Sequence, residues 1–509
     1  MPRIAALRRL PVHLTALLLL VMPFSAAADE KTQTADWKQL YEHWYVLEIA
    51  GAEAGWMRET ASDDGKQYRL ESEVHFKISR GAFPVEAAMS TTSLETHGGK
   101  LSELRYRQDM AQMSLDSQWT FHDDHVMLVS RQGGRVLEKK LDPPQDGWLS
   151  PMAVSRFWRE RREAGAEEIT FRTLDPEQGL EPVTVRQVLQ GEEEYEFGGR
   201  KIPVTVWKTT SSALPGIESI SRISADGYQV YEEVAVGLGV IVTRIATREQ
   251  ALAAGGAPPP ELMVSTFVRP DRPIPNPDKV HVMKLRLKTR DGRLPDIPAA
   301  GAQRVELDEN GKSAILTIDI DDPLPASQEE GADPKLREPS SMADSSDPMV
   351  KKLARRAVRG TGEDPIARAE AIRAFVYDHI SSKSLDTAFA TASETARMKT
   401  GDCSEHGVLL CAMLRAEGIP ARVASGLLYV DEFAGEEGVF GWHMWTQALI
   451  DGKWVDLDAT LPVRYHAGHV LTGTSSLADG AAGGDLSALM LLVGNLDIEI
   501  IDLGSGDTD

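Results

Sequence analysis

The chain is poor in cysteine, with two, Cys403 and Cys411, among 509 residues. That excludes a small fold stapled by several disulfides. The two lie eight residues apart. On one helix their Cα atoms would be about 12 Å apart at 1.5 Å rise per residue, whereas a disulfide spans roughly 4.4–6.8 Å. At least one thiol is therefore free. Positive charge is also scarce: 55 Lys and Arg stand against 77 Asp and Glu, for a net charge of −22. Nucleic acid or an anionic membrane surface would need a basic face, so neither is an expected partner. After residue 28 no run is long and apolar enough to span a bilayer.

The first 28 residues have a different character. Arg3, Arg8 and Arg9 precede the apolar run Leu17 to Met22, and Ala26-Ala27-Ala28 offers a small-residue exit before Asp29. This is the layout of a secretory signal peptide, too short for a bilayer span. Losing its three arginines takes the net charge from −22 to about −25. The expectation is an exported protein, periplasmic or extracellular, with no membrane span after cleavage. Composition leaves its oligomeric state open.

At roughly 100–200 residues per domain, a chain of this length divides into two to four domains. Residues 36–252 read as a β-rich domain. The run Tyr68 to Ile78 alternates apolar and polar residues, as a half-buried antiparallel strand does. Ile220 to Glu232 reads as a hairpin around Asp226-Gly227. A helix is expected at 151–163, after Ser150-Pro151 and before Gly165. The Pro- and Gly-rich stretch 253–278 reads as a linker, 279–324 as a small β segment with a hairpin at Asn310-Gly311, and 325–346 as a second linker. Residues 347–475 form the next domain and 476–509 a C-terminal extension, with a helix at 485–493 and a strand around Ile498 to Ile501. The fold class is α+β.

Chemistry concentrates at Gly401-Asp402-Cys403-Ser404-Glu405-His406. Asp402, with Glu405 three residues on and an apolar run behind, marks a capped helix start. Cys403 then sits in the first turn, where free N–H groups and the helix dipole favour an anion, so its thiol is expected below the free value of about 8.5. Gly401 leaves the approach open. Cys411, among Val408, Leu409, Leu410 and Ala412, reads as a buried, inert thiol.

A thiolate nucleophile needs a base and a group to orient it. His443 precedes the turn Asp451-Gly452, and Lys453 to Asp458 returns. If that dipeptide is the loop, Ile450 faces Lys453, Gln447 faces Asp456 and Trp445 faces Asp458. His443 and Asp458 become diagonal neighbours on one face, roughly 7–8 Å apart by backbone. Asp456 lies one step further away, so Asp458 is the better orienter. Trp442 and Trp445 flank the histidine. Either packs in the sheet or walls a substrate groove, and Trp445, sharing the His443 face, is the better groove candidate.

Three blocks, Gly401 to His406, Gly441-Trp442-His443-Met444-Trp445 and Trp454 to Thr460, resemble the transglutaminase-like superfamily in order and spacing, as does the turn Gly418-Ile419-Pro420-Ala421-Arg422-Val423. The resemblance covers about 350–475. It implies a papain-like core, a Cys helix packed on an antiparallel sheet, with Cys403 as nucleophile, His443 as base and Asp458 as orienter. It implies acyl transfer on amide bonds of a protein or peptide through a thioester, as in cysteine proteases, amidases and cross-linking enzymes. Hydrolysis is preferred, because it needs no dedicated amine acceptor. No cofactor is implied, since the calcium-loop pattern of animal cross-linking members is absent. The aromatic residue that assists the oxyanion hole in some members has no counterpart between Thr395 and Thr400.

Two other readings compete. One is a metal site built from Cys403, His406, His466 and His469, whose residue types suit zinc. The Cys-x-x-His spacing is only one helical turn, however, and His406 reads more simply as an exposed helix residue. The other is a non-catalytic exported binding or scaffold protein, which the intact triad pattern disfavours.

Overall fold

The computed structural model describes residues 37–505 apart from 81–82, 111–112, 133, 146, 178, 237–238, 291–292, 386–389 and 479–491. The signal peptide and nearly all of the helix expected at 485–493 lie outside these residues. No helix among the described residues is long and apolar enough to cross a membrane. The chain is α+β with strands predominating, and it divides into two compact units. One takes in the chain up to Ile78, Val85–Met110 and Ser114–Pro260; the other comprises Ser79–Pro84, Ala111–Met113 and everything from Glu261.

The first unit is built on a 14-stranded sheet. Its middle strand, Lys38–Ile49, pairs antiparallel with Ala52–Asp63 on one side and with Gly239–Ala246 on the other. The expected strand extends over Gln67–Arg80 and buries Leu70, Val74, Phe76 and Ile78 at alternate positions. Burial of side chains of this size stabilises by roughly 1.5–3 kcal/mol each. Glu218–Ser224 and Gln229–Val236 form the expected hairpin, with Gly227 at φ +84°. The helix Pro151–Glu163 starts on proline and seats Trp158 edge-on to Trp207 at 5.7 Å.

The second unit has three layers. In its central sheet, Lys453–Leu457, Glu436–Ile450, Ala421–Phe433 and His469–Ser475 lie side by side in that order. Val423, Ala448, Ile450 and Leu457 share a core with the helices Pro348–Ala357, Pro365–His379, Ala392–Met398 and Cys403–Ala416. Leu427, Tyr429, Phe440 and Val470 of the sheet pack instead with Met283, Leu285, Leu316 and Ile498 of a second four-stranded sheet. In that sheet Val280–Thr289 pairs with both Ser313–Asp319 and Leu496–Ser505. The 279–324 segment and the C-terminal strand thus share one layer, joined by long-range pairing that local patterns do not encode. The stretch 325–346, polar enough to suggest a linker, is packed: Leu336 and Ala343 are buried. Its polar residues serve as caps, Ser327 and Glu330 closing a capping box on Gln328–Ala332.

Candidate active site

The thiol position is made by a helix start. Asp402 Oδ1 accepts the Ser404 N–H at 2.9 Å, and Glu405 Oε2 accepts the Asp402 N–H at 2.8 Å. Glu405 Oε1 also accepts the Ala390 N–H at 2.8 Å. Burial, then the nearby Asp402 charge, push Glu405 up to about 8. Gly401 has φ +154°, and a Cβ there would stand 2.3 Å from the Glu405 Cβ. Glycine is therefore required for close packing against Glu405. Both cysteines are free: Cys403 is partly exposed, while Cys411 is fully buried and its thiol is pushed up by that burial.

The histidine and aspartate come from the hairpin. Asp451 and Gly452 have φ +50° and +75°, the paired positive values of a type I′ turn. Ile450 faces Lys453, Gln447 faces Asp456 and Thr446 faces Leu457, the register read from the sequence. One step further, Asp458 comes level with Trp445 and diagonal to His443. His443 Nε2 lies 2.8 Å from Asp458 Oδ2. Cys403 also acts on the ring, its side chain helping to raise the imidazole. The structure thus brings Cys403, His443 and Asp458 together in one chain of contacts.

Burial alone would lower the His443 pKa. The Asp458 charge and hydrogen bond, followed by those of Cys403, override it and push the imidazole up to about 10. Burial alone would likewise raise Asp458. The charge and hydrogen bond of His443, then those of His469, hold it well below the usual carboxylate range.

His469 is the member that sequence reasoning missed in this role. It is completely buried, and its Nε2 lies 3.1 Å from the same Asp458 Oδ2. Its Nδ1 is 2.8 Å from the His466 carbonyl, and Thr460 donates its N–H to Asp458 Oδ1 at 2.7 Å. Asp458 is therefore held by two imidazoles and one backbone amide. The available signal was His466-x-x-His469 itself, but its target depends on the sheet order that sets His469–Ser475 beside Ala421–Phe433.

Other candidates are placed elsewhere. Asp456 Oδ1 accepts from the Trp445 indole and the Gln447 amide, both at 2.8 Å, and its Oδ2 accepts from the Ala302 N–H at 3.0 Å. It ties the hairpin to the 300–302 loop. Trp445 is 1% exposed and stacks at 6.3 Å against His443, so it backs the imidazole instead of facing a groove. Trp442 packs on the opposite sheet face, against the second core. Trp445 therefore does not provide the groove wall expected beside His443, because its face of the sheet is covered. His406, expected to be exposed, is fully buried because its helix is enclosed on nearly all sides. The four residues of the zinc reading do not converge. His406 meets the Asp402 carbonyl and Lys383, and His466 Nδ1 accepts the Gly468 N–H. The ligand atoms of His443, Asp458 and His469 do lie within 4.8 Å of one another, but an ion there would have to displace the two imidazole–carboxylate hydrogen bonds.

Residues 351–459 match the model of the transglutaminase-like superfamily, a family of thiol-dependent enzymes. No curated protein matches the chain. Among solved structures, a candidate cysteine protease from Cytophaga hutchinsonii is 19% identical, over 45% of this chain and 89% of its own, with a TM-score of 0.27. A β-barrel-like protein of unknown function from Brucella abortus is 12% identical, over 40% of this chain and 94% of its own, with a TM-score of 0.32. The periplasmic domain of TgpA from Pseudomonas aeruginosa, crystallised with ethylmercury, is 16% identical, over 38% of this chain and 88% of its own, with a TM-score of 0.24.

Proposed function

With residues 351–459 in the transglutaminase-like superfamily, we propose that Cys403, His443 and Asp458 form the catalytic triad of an exported cysteine protease or amidase. The observation that carries this reading is His443, whose Nε2 lies 2.8 Å from Asp458 Oδ2 and whose imidazole is raised by both Asp458 and Cys403. The Cys403 sulfur attacks the amide carbonyl, and its proton resides on His443. The carbonyl π pair moves to oxygen, where the Cys403 backbone N–H meets the developing charge. Collapse breaks the C–N bond as His443 gives its proton to the departing amine, leaving a thioester. Water, deprotonated by His443, then attacks the thioester and restores the thiol. An amine in place of water would give cross-linking. Hydrolysis is the preferred outcome because it needs no second bound substrate. Asp458 keeps the ring oriented and stabilises the imidazolium throughout.

The test compares wild type with Cys403→Ala on a protein mixture, read by mass spectrometry. New termini, or glutamine converted to glutamate, that depend on Cys403 support hydrolysis. Isopeptide cross-links would replace it with the transfer reaction. A product spectrum identical for the two proteins would sink the enzyme reading.

A further inference from the structure

Lys383 reaches the helix that starts at Cys403 and has no part in the mechanism above. The short strand Ser382–Lys383 pairs in parallel with Thr400–Gly401, setting Lys383 opposite Gly401, two residues before Cys403. Adjacent strands are about 4.8 Å apart. The side chain reaches towards the catalytic helix: Nζ is 3.1 Å from His406 Nε2, and His406 is one helical turn, about 5 Å along the axis, beyond Cys403.

The protonation pattern at His406 explains how a cation is held there. His406 Nδ1 lies 2.5 Å from the Asp402 carbonyl oxygen and must donate its hydrogen to it. Nε2 then presents a lone pair to the ammonium. Burial, the main cause, pushes His406 down to about 4, so the ring is neutral and can accept. On its other side the ammonium lies 3.8 Å from the Tyr377 ring centroid, a cation–π contact. Lys383 is still exposed as a residue. It also senses the Asp458 charge, which acts against the lowering of its own pKa by burial. A neutral imidazole, an aromatic face and the Tyr377 carbonyl at 3.4 Å thus hold one ammonium on the Cys403 helix, with Asp458 and Asp378 acting on it as charges.

We propose that Lys383 is a catalytic residue, the second donor of the oxyanion hole, giving an Nζ–H to the carbonyl oxygen of the acyl substrate as Cys403 attacks. This rests on the acyl-transfer reading above. His406 acts through Lys383 and is a positioning residue.

Two reagents that attack the same sulfur separate this role from general support of the thiol. p-Nitrophenyl acetate acylates it through a tetrahedral oxyanion: the carbonyl pair moves to oxygen and returns, expelling p-nitrophenolate and leaving acetyl-Cys403. Iodoacetamide alkylates it at a saturated carbon, expelling iodide with no oxyanion. Both rates are measured on the full-length chain of wild type, Cys403→Ala and Lys383→Met, taking the Cys403-dependent part. Loss of one oxyanion donor typically costs ~10²–10³-fold. The expected result is acylation slowed at least ~10-fold in Lys383→Met, with alkylation within about twofold of wild type. If both rates fall together, Lys383 supports the thiol and not the oxyanion, and the proposal is overturned. It is equally overturned if acylation is unchanged. Should Lys383→Met not fold, Lys383→Gln is carried through the same pair of reactions. If wild type acylates no faster than Cys403→Ala, the acyl-transfer reading itself fails; if wild type acylates normally and the Lys383 variant matches it, only the role of Lys383 fails.

Discussion

Glu59 in the N-terminal sheet and Asp458 in the second unit are both carboxylates withdrawn from water, and their titrations move in opposite directions. Burial pushes Glu59 up to about 8. Its neighbours are the Tyr45 hydroxyl, which donates to it at 3.4 Å, and a second buried acid, Glu232. Glu177 behaves in the same way: burial, then the Asp175 charge, push it up to about 8. Asp458 is more completely buried than Glu59, yet His443 and His469 hold it well below the usual range. Depth of burial therefore does not decide the charge state; the sign and number of hydrogen-bonding neighbours do. A buried carboxylate that stays ionised opposite a raised imidazole is the arrangement expected of working chemistry, whereas one that takes up a proton is the arrangement expected of structure.

The largest effect should come from turning Asp458 into a neutral side chain. Asp458→Asn should lower turnover by ~10³–10⁴-fold, by analogy with the loss of a triad carboxylate elsewhere, and steady-state rates against wild type would measure it. An activity loss below tenfold would place Asp458 among the structural acids. In wild type, turnover should fall as pH rises through about 10, where His443 loses its proton. A His443 pKa raised above its unfolded value also means that this group's contribution to stability is complete below about 6.5 and lost as pH rises through about 10.

His469→Gln removes one of the two imidazoles in contact with Asp458 and leaves the other. A loss on the order of tenfold in kcat with little change in KM is expected, since one hydrogen bond to a charged group is worth about 1.5–3 kcal/mol. An unchanged kcat would show that the second imidazole has no influence on Asp458.

The acids of the sheet unit should be visible in stability. Glu59, raised in the folded state, favours folding most below about 4.5, and that advantage is lost as pH rises through about 8. Between those values it costs up to about 1.4 kcal/mol per pH unit. Urea midpoints measured from pH 5 to 8 should fall in wild type and fall less steeply in Glu59→Gln. Equal slopes would contradict the protonated state assigned to Glu59.

The smallest effect is expected at Cys411. Cys411→Ala should leave the rate and stoichiometry of iodoacetamide labelling unchanged and cost on the order of 1 kcal/mol in stability. Loss of the fast-labelling thiol would mean that Cys411, not Cys403, is the reactive one.

Local rules made much of the site readable. The capping box placed Cys403 at a helix start, and turn chemistry set the diagonal between His443 and Asp458 without knowledge of the fold. Everything that depends on which strand lies beside which escaped them. His469 reaches Asp458 only because its strand pairs with Ala421–Phe433. Lys383 reaches His406 only through a two-residue parallel ladder too short for any pattern. Trp445 looked available for substrate because period-two reasoning sorts residues to faces but does not say that both faces are covered. The β character of 36–252 was similarly legible strand by strand, but not the central pairing of Lys38–Ile49 with Gly239–Ala246, nearly 200 residues away.

The two-residue turn at Asp451-Gly452 carries a further consequence. Side chains on a strand alternate between faces, so the site is encoded as a parity as much as an identity. Inserting or deleting a single residue between Ile450 and Lys453 would preserve every functional group in the chain and still rotate Asp458 to the far side of the sheet, unless a bulge absorbed the change. Within this loop the protein should accept the few two-residue spellings that tolerate paired positive φ, and very few changes of length.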